Sequence, residues 1–285
     1  MIYNILKLMR VEQWTKNLLI FLVPISASQL ETSDIYNLSI IFIGFSLIVS
    51  AGYIINDILD IESDRAHYIK RNRILAANKI SIEKGKLISL IIFLCGCVIL
   101  SFVNITILFS SIVYLILSIL YSKYMKYTKF LDISLISVFF VYRAYLGSLG
   151  TEIYISRYLL LVILFSSLAL VTGKKLSILL DKNLINSKVK DSIDKNYNSE
   201  FLKKTIQAAL FLTVVTYNFW IFFSLNDLKV IFVFSNLFLV LFSVKFYNLS
   251  LFSETEDFIS SLKINKVLLS SFIFFILLTL LGIFF

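Results

Sequence analysis

The sequence predicts an all-α, polytopic membrane protein with nine transmembrane helices. Hydrophobic residues make up 59% of the 285 residues and the mean hydropathy is +0.88, well above the range of soluble domains. Most of the apolar residues lie in unbroken runs of roughly 17 to 21 residues, the length that an α-helix needs to cross a bilayer. A membrane-spanning β-barrel would instead alternate apolar and polar residues.

Polar segments separate nine apolar runs, of which the first is the shortest. Their approximate bounds are 17–30, 35–55, 87–103, 105–121, 131–149, 158–173, 206–225, 229–245 and 267–285. The N-terminus is charged and amphipathic, unlike a cleavable signal peptide. We expect residues 1–285 to form a single transmembrane domain with no separate soluble domain.

The distribution of Lys and Arg predicts the orientation. If the N-terminus lies inside, 24 of the 27 basic residues fall on inner segments, and only Arg157 and Lys229 fall on outer loops. Such an excess is typical of cytoplasmic loops. We expect an inner-membrane protein with its N-terminus inside, its C-terminus outside, and cytoplasmic loops at about 56–86 and 173–204. The net charge of +9 is then a signal of topology and does not indicate nucleic-acid binding.

An Asp-rich motif directly follows the second apolar run. Asn56, Asp60 and Asp64 are four residues apart, so on a continuing helix they share one face, with Asp57 at its edge. Carboxylates that converge repel one another unless a cation lies among them, and Mg²⁺ binds carboxylate and phosphate oxygens together. The motif therefore predicts that these four residues hold Mg²⁺ at the end of a membrane helix.

Basic residues come next in the chain, at Arg65, Lys70, Arg71 and Arg73. Guanidinium and ammonium groups bind phosphate, so a Mg²⁺-pyrophosphate site is predicted, facing the cytoplasm. The alternative is a solvated loop between membrane helices, which is often rich in Asp, Lys and Arg. Four residues with the spacing of metal ligands at a membrane boundary favour the site.

Further candidates lie at or within the membrane. Arg143 interrupts the fifth run, and an ionisable residue at that depth is usually functional. It would face a cavity that holds a phosphate or carboxylate, or form a hydrogen bond between helices. Lys126 with Tyr121, and Lys174 with Lys175, end the fourth and sixth runs on the side of the Asp-rich motif, where they mark either topology or a phosphate site.

The N-terminal segment carries one more candidate. Lys16 lies at the mouth of the first run, on the side of the Asp-rich motif, next to Asn17. Trp14 is a typical interfacial anchor, so the alternative is an amphipathic segment at the membrane surface.

The spacing Asn56-Asp57-x-x-Asp60-x-x-x-Asp64 resembles the first Asp-rich motif of the UbiA superfamily of intramembrane prenyltransferases. The resemblance implies a UbiA-type helical bundle, a Mg²⁺ cofactor and a catalytic role for the three aspartates. Within that superfamily, the chain is most similar to the polyprenyl-phosphate phosphoribosyltransferase branch. The segment 10–17 resembles its Arg-Pro-x-Gln-Trp-x-Lys-Asn motif, and the segment 64–76 resembles its Asp-Arg-x-His-Pro-x-Lys-Arg-x-Arg-Pro-x-Ala motif.

Later segments resemble the same branch, and a few positions depart from it. The similar positions are Tyr121-Ser122 with Lys126, Asp132, Arg143-Ala144-x-x-Gly147 and Gly173-Lys174-Lys175. Val11, Tyr68 and Ile74 stand where the branch usually has Pro, which concerns loop rigidity more than chemistry. Lys175 stands where Arg is frequent, and a lysine cannot bind a phosphate in a bidentate manner.

The resemblance implies transfer of 5-phosphoribose from phosphoribosyl pyrophosphate to a polyprenyl phosphate. Ordinary prenyltransferases of the superfamily carry a second, Asp-x-x-x-Asp motif after the sixth helix. Segment 173–204 has no such motif, and its absence supports the resemblance to the phosphoribosyltransferase branch. The implied substrate-binding residues are Lys16, Asn17, Arg65, Lys70, Arg71, Arg73, Tyr121, Lys126, Arg143, Lys174 and Lys175. Two alternatives are a prenyltransferase that moves an isoprenyl group to an aromatic acceptor, and a membrane transporter. The sequence leaves the oligomeric state open, and a homo-oligomer is one of the alternatives.

Overall fold

A computed structural model describes residues 2–28, 31–66, 70–181, 188–224, 230–256 and 258–285. Regular structure in these ranges is entirely helical. The α-helices are α1 (Ile2–Leu8), α2 (Leu22–Ser26), α3 (Thr32–Leu59), α4 (Ile61–Ala66), α5 (Ile82–Ser101), α6 (Ile105–Leu120), α7 (Leu131–Thr151), α8 (Arg157–Leu180), α9 (Lys188–Asn196), α10 (Ser199–Ser224), α11 (Val230–Leu251), α12 (Phe258–Ile264) and α13 (Lys266–Phe284). Two 3₁₀ helices (Val11–Phe21 and Lys70–Asn72) and a π-helical turn (Tyr121–Met125) complete the list.

Eight helices among the described residues are long and apolar enough to cross a membrane. They are α3, α5, α6 with its π-helical turn, α7, α8, α10, α11 and α13, and they match eight of the nine predicted runs. The all-α, integral membrane fold is thus confirmed. The first run instead forms the 3₁₀ helix Val11–Phe21 and α2. Because a 3₁₀ helix rises about 2 Å per residue, these two segments extend over roughly 30 Å, which is consistent with a ninth span.

Three of the membrane helices begin at side-chain caps that are visible in the sequence. Ser81, Asn104 and Asn265 precede α5, α6 and α13, and each side-chain oxygen accepts a hydrogen bond from a backbone N–H of the first turn. Short polar side chains satisfy donors that the helix itself leaves unpaired. The caps therefore fix where these helices start.

The chain divides into two compact units. The first comprises Met1–Ile25, Leu30–Lys126 and Tyr142–Ile153, and the second comprises Ser26–Gln29, Tyr127–Val141 and Tyr154–Phe285. These units are defined by packing alone and do not test the expectation that the chain forms a single domain. That expectation stays a prediction.

Helix α3 is the centre of the first unit, where α5, α6 and the 3₁₀ helix Val11–Phe21 pack against it. Glycines permit close approach: a Cβ atom on Gly96 would lie 2.8 Å from the carbonyl oxygen of Gly44. Small residues at such contacts are typical of membrane helices. In the second unit, α8 packs on α10 and α11 on α13 around a buried cluster that includes Leu176, Leu202 and Phe246.

Gly147 allows the closest approach in the first unit. A Cβ atom there would lie 1.9 Å from the carbonyl oxygen of Ile20. We expect Gly147→Ala to reduce the free energy of unfolding by about 1–3 kcal/mol, because backbone must move to relieve the overlap. The measurement is the thermal unfolding midpoint in detergent. Gly85→Ala is the control, since its Cβ would meet the flexible ends of two side chains, Leu75 at 3.0 Å and Ile58 at 3.9 Å. Equal midpoints for the two variants would contradict the expectation.

Candidate active site

The Asp-rich motif spans the junction between α3 and α4. Helix α3 ends at Leu59, and Asp60 follows as its C-cap. The backbone N–H of Asp60 donates to the carbonyl of Asn56 at 3.0 Å, and that of Asp64 donates to the carbonyl of Asp60 at 2.8 Å. Because helical hydrogen bonds continue through the junction, the three side chains follow one helical row.

Two arginines hold the buried carboxylates of the motif. Arg73 Nη1 lies 2.6 Å from Asp64 Oδ2 and 3.2 Å from Asp57 Oδ1. Arg10 Nη2 also donates to Asp57 Oδ1. The side chains of Asp57 and Asp64 are 6% and 4% exposed. Ion pairs with guanidinium groups compensate for the loss of water around them.

The third carboxylate is paired with a lysine from another segment. Lys126 Nζ lies 2.6 Å from Asp60 Oδ1 and 2.8 Å from Asp60 Oδ2. Lys126 caps the π-helical turn that ends α6, and its backbone N–H donates to the carbonyl of Tyr121 at 2.9 Å. Such wide turns are frequent at functional sites. The turn brings Lys126, a predicted site residue, to the Asp-rich motif.

The loop that carries Arg73 is anchored by packing. The two following residues, Ile74 and Leu75, are 3% and 1% exposed and join a core cluster with Ala51 of α3. Arg65 fastens the same loop, since its guanidinium donates to the carbonyl of Ala76 and to the side chain of Asn78. The predicted phosphate ligand Arg65 therefore supports the loop in this structure.

The donor set of the motif fits Mg²⁺, although its three carboxylates do not meet at one point. Within the described ranges, no group of three or more His, Cys, Asp or Glu side chains could hold a metal ion. The expected meeting of three carboxylates is absent there, because Arg10, Arg73 and Lys126 neutralise them. Asn56 Oδ1 is buried and has no hydrogen-bond partner among the described residues. An orphaned amide oxygen beside carboxylates is the kind of hard oxygen ligand that Mg²⁺ accepts.

Arg143 and Asn17, both predicted site residues, meet in a buried network. Arg143 Nε donates to Asn17 Oδ1 at 2.9 Å, and its Nη2 donates to the hydroxyl of Tyr114 at 2.7 Å. Asn17 Nδ2 in turn donates to Ser46 Oγ at 2.9 Å. Arg143 is 4% exposed, and its guanidinium also lies 5.3 Å from the ring centroid of Tyr114. These are hydrogen bonds between helices, the alternative that the sequence left open.

In the second unit, Lys175 is paired with a buried carboxylate. Lys175 Nζ forms an ion pair with Asp132 Oδ2, and the hydroxyl of Tyr197 donates to Asp132 Oδ1 at 2.5 Å. The Tyr197 hydroxyl accepts from the backbone N–H of Phe130 at 2.7 Å. Burial raises the pKa of the Tyr197 phenol, and the hydrogen bond to Asp132 raises it further, so the group remains a donor at neutral pH. Lys174, by contrast, is exposed.

The remaining predicted residues lie at the surface of the first unit. Lys16 is half-buried in the 3₁₀ helix Val11–Phe21, Lys70 and Arg71 belong to the short 3₁₀ helix Lys70–Asn72, and Tyr121 starts the π-helical turn. His67 and Tyr68, which belong to the resembling motif, lie outside the described residues. The sequence predicted no role for Arg10, although this residue begins the N-terminal motif. Tyr197 was also missed from the sequence, since it belongs to no recognisable sequence pattern.

Comparison with known proteins identifies the family. Residues 17–267 match the UbiA prenyltransferase family. The chain belongs to this family and is an enzyme of the UbiA type.

Individual relatives are more distant. The chain is 29% identical over 227 residues to a decaprenyl-phosphate phosphoribosyltransferase of Mycolicibacterium smegmatis, covering 78% of this chain and 71% of the relative. A 90-residue stretch, 31% of the chain, is 43% identical to an uncharacterised protein of Sinorhizobium fredii and spans only 17% of that protein's length. The fold is similar to that of a UbiA homolog from Archaeoglobus fulgidus bound to GPP and Mg²⁺, with a TM-score of 0.63, 14% identity and coverage of 99% of each chain.

Tyr197 is expected to stabilise the second unit through its hydroxyl. Tyr197→Phe keeps the ring that stacks on Phe201 but removes one donor to the buried carboxylate of Asp132. Hydrogen bonds to charged groups contribute about 1.5–3 kcal/mol, so the free energy of unfolding should fall by that amount. Chemical denaturation in detergent measures it. Tyr158→Phe is the control, because that hydroxyl accepts only an exposed, 3.3 Å bond from Arg157 among the described residues. A loss no larger than that of the control would show that the Tyr197 hydroxyl is dispensable.

Proposed function

We propose that this protein transfers 5-phosphoribose from phosphoribosyl pyrophosphate to a polyprenyl phosphate. The reaction releases pyrophosphate and gives a phosphoribosyl-phosphopolyprenol for cell-envelope glycan synthesis. One observation carries the proposal: three aspartates at the end of a membrane helix each lie against a basic side chain. This arrangement combines ligands for a divalent cation with ligands for the phosphates bound to it. Similarity to a decaprenyl-phosphate phosphoribosyltransferase over 78% of the chain supports the donor.

The leaving group would be bound by the Asp-rich motif. Asn56, Asp57, Asp60 and Asp64 would hold Mg²⁺, which, when bound, neutralises the charge that develops on the departing pyrophosphate. The carboxylates would then turn from their basic partners. The guanidinium of Arg73 and the ammonium of Lys126 would become donors to phosphate oxygens at the same place.

The acceptor requires little activation by the protein. A polyprenyl phosphate is already an anion at neutral pH, so its oxygen attacks C1 of the ribose without a strong general base. The bond from C1 to pyrophosphate breaks as the bond from C1 to the lipid phosphate forms, through an oxocarbenium-like transition state with inversion at C1. Lys16, Lys70 and Arg71 would place the 5-phosphate of the donor and the phosphate of the lipid. Lys174 stays a predicted phosphate ligand, whereas Arg143 and Lys175 are held by Asn17, Tyr114 and Asp132.

The orientation of the chain suits this substrate pair. With the basic segments inside, the Asp-rich motif faces the cytoplasm of an inner membrane, where a soluble sugar phosphate would reach it. The isoprenoid tail of the acceptor would remain in the bilayer. Electrostatic attraction by the positive inner face would favour both anionic substrates.

A second candidate is a prenyltransferase that uses an isoprenyl diphosphate. The similarity in fold to a UbiA homolog bound to GPP and Mg²⁺ favours it. Segment 173–204, however, has no pair of acids with Asp-x-x-x-Asp spacing, and Lys174 and Lys175 lie near its start. A donor with a phosphate as well as a pyrophosphate fits that charge pattern better. Membership of an enzyme family leaves the transporter alternative without support.

Turnover by the purified protein tests the proposed donor and metal. Protein in detergent would receive Mg²⁺, labelled phosphoribosyl pyrophosphate, and undecaprenyl or decaprenyl phosphate. We expect label in the lipid and release of pyrophosphate, both abolished by EDTA and restored by excess Mg²⁺, because the leaving group needs charge neutralisation. Label transfer from an isoprenyl diphosphate to an aromatic acceptor, and none from phosphoribosyl pyrophosphate, would favour the second candidate.

A single substitution separates the metal site from the fold. Asp60 is the most exposed of the three paired aspartates, with 32% of its side chain accessible, so Asp60→Asn should fold normally. We expect it to lower kcat by at least about a hundredfold, as for removal of one electrostatic contact in a transition state. The control is Asp34→Asn in the first turn of the same helix, where the carboxylate belongs only to a helix cap among the described residues. Wild-type turnover in folded Asp60→Asn protein would show that the charge of the Asp60 carboxylate is not needed for the reaction.

A further inference from the structure

Arg10, in the N-terminal segment, contacts the Asp-rich motif. The proposed reaction assigns it no role. Its guanidinium bonds Asp57 Oδ1, the same oxygen that Arg73 Nη1 approaches at 3.2 Å. It also lies 5.2 Å from the ring centroid of Tyr53, one turn before Asp57 on α3. The Arg10 side chain is 27% exposed, whereas that of Asp57 is 6% exposed. The guanidinium is therefore the accessible half of this ion pair.

The backbone at Arg10 is held in a conformation that residues other than glycine rarely adopt. Its φ of 52° and ψ of 48° lie in the left-handed region, which is uncommon for a residue other than glycine. Neighbouring hydrogen bonds maintain it: Arg10 N–H donates to Lys7, Gln13 N–H donates to Arg10, and Ser50 Oγ donates to the carbonyl of Met9. Strain that persists under such constraints is often part of a function. Here the fixed backbone directs the Arg10 side chain at Asp57.

The two arginines at Asp57 differ in the carboxylate partners that each would retain if Asp57 bound a metal ion. Arg73 retains its 2.6 Å bond to Asp64. For Arg10, Asp57 is the only carboxylate partner recorded in the described part of the chain. A half-buried guanidinium that loses its anion needs another one, because an unpaired charge in such a place is costly.

We propose that Arg10 is a further diphosphate-binding residue, which exchanges the carboxylate of Asp57 for a diphosphate oxygen when a metal ion is bound. This inference rests on the proposed function, because it assumes a metal-bound diphosphate at the Asp-rich motif. Arginine suits the exchange, since its planar donors match carboxylate and phosphate geometry equally well.

The exchange predicts opposite effects of Arg10 on two ligands. Without a diphosphate, Arg10 competes with a metal ion for Asp57 and weakens metal binding. With a diphosphate, Arg10 gains a partner and strengthens binding. Removal of Arg10 should therefore tighten the binding of the metal alone and weaken the binding of pyrophosphate. A purely structural role would weaken both.

The test uses the full-length Arg10→Asn protein in detergent, since asparagine tolerates the left-handed backbone and carries no charge. Electron paramagnetic resonance would measure the affinity for Mn²⁺ alone. Calorimetry would measure the affinity for inorganic pyrophosphate at saturating Mg²⁺. We expect Mn²⁺ to bind at least about threefold more tightly and pyrophosphate about tenfold more weakly, which corresponds to one charge-assisted hydrogen bond. Arg10→Lys should give an intermediate loss of pyrophosphate affinity.

The control is Arg157→Asn, which removes an exposed guanidinium 5.0 Å from the ring centroid of Tyr158. It should leave both affinities unchanged. If Arg10→Asn lowers both affinities, or changes neither, the proposed role of Arg10 is wrong, while the proposed function stands. If wild-type protein does not bind pyrophosphate with Mg²⁺, the proposed function fails together with this inference.

Discussion

The arrangement of the first unit depends on pairing two buried carboxylates, Asp57 at the end of α3 and Asp64 in α4. Asp57 and Asp64 are almost inaccessible to water, and a buried ion left without a partner costs several kcal/mol. The chain meets this constraint with Arg73 from the loop that follows and Arg10 from the N-terminal segment. Each arginine ties its own segment to α3, so one electrostatic requirement fixes three parts of the chain.

Packing makes those ion pairs specific. Ile74 and Leu75 next to Arg73, and Leu8 and Met9 before Arg10, are buried in one core cluster. The apolar side chains fix the backbone, and the neighbouring arginines then need to order only their side chains. The burial of Ile74 thus restricts the backbone of the loop that carries Arg73.

The sequence predicted what depends on local pattern. Apolar runs gave the eight membrane helices, and the four-residue spacing of the aspartates gave a row across the α3–α4 junction. It could not predict partners far apart in the chain: Lys126 is 66 residues from Asp60, and Arg143 is 126 residues from Asn17. The wide turn that delivers Lys126 has no recognisable pattern. The sequence left open whether Arg143 faces a substrate or another helix, because only the fold shows that Asn17 and Tyr114 surround it.

The pairing of every motif aspartate with a basic residue has a consequence for the order of binding. Mg²⁺ that arrives alone would have to displace a cation from a motif carboxylate, such as Arg10, whose only carboxylate partner among the described residues is Asp57. A metal ion that arrives with a diphosphate brings anions to which the displaced cations can turn. In the proposed reaction, the same charges that stabilise the fold would disfavour binding of the metal alone and favour binding of the metal together with its diphosphate. Stability and substrate selection would then depend on one set of ion pairs.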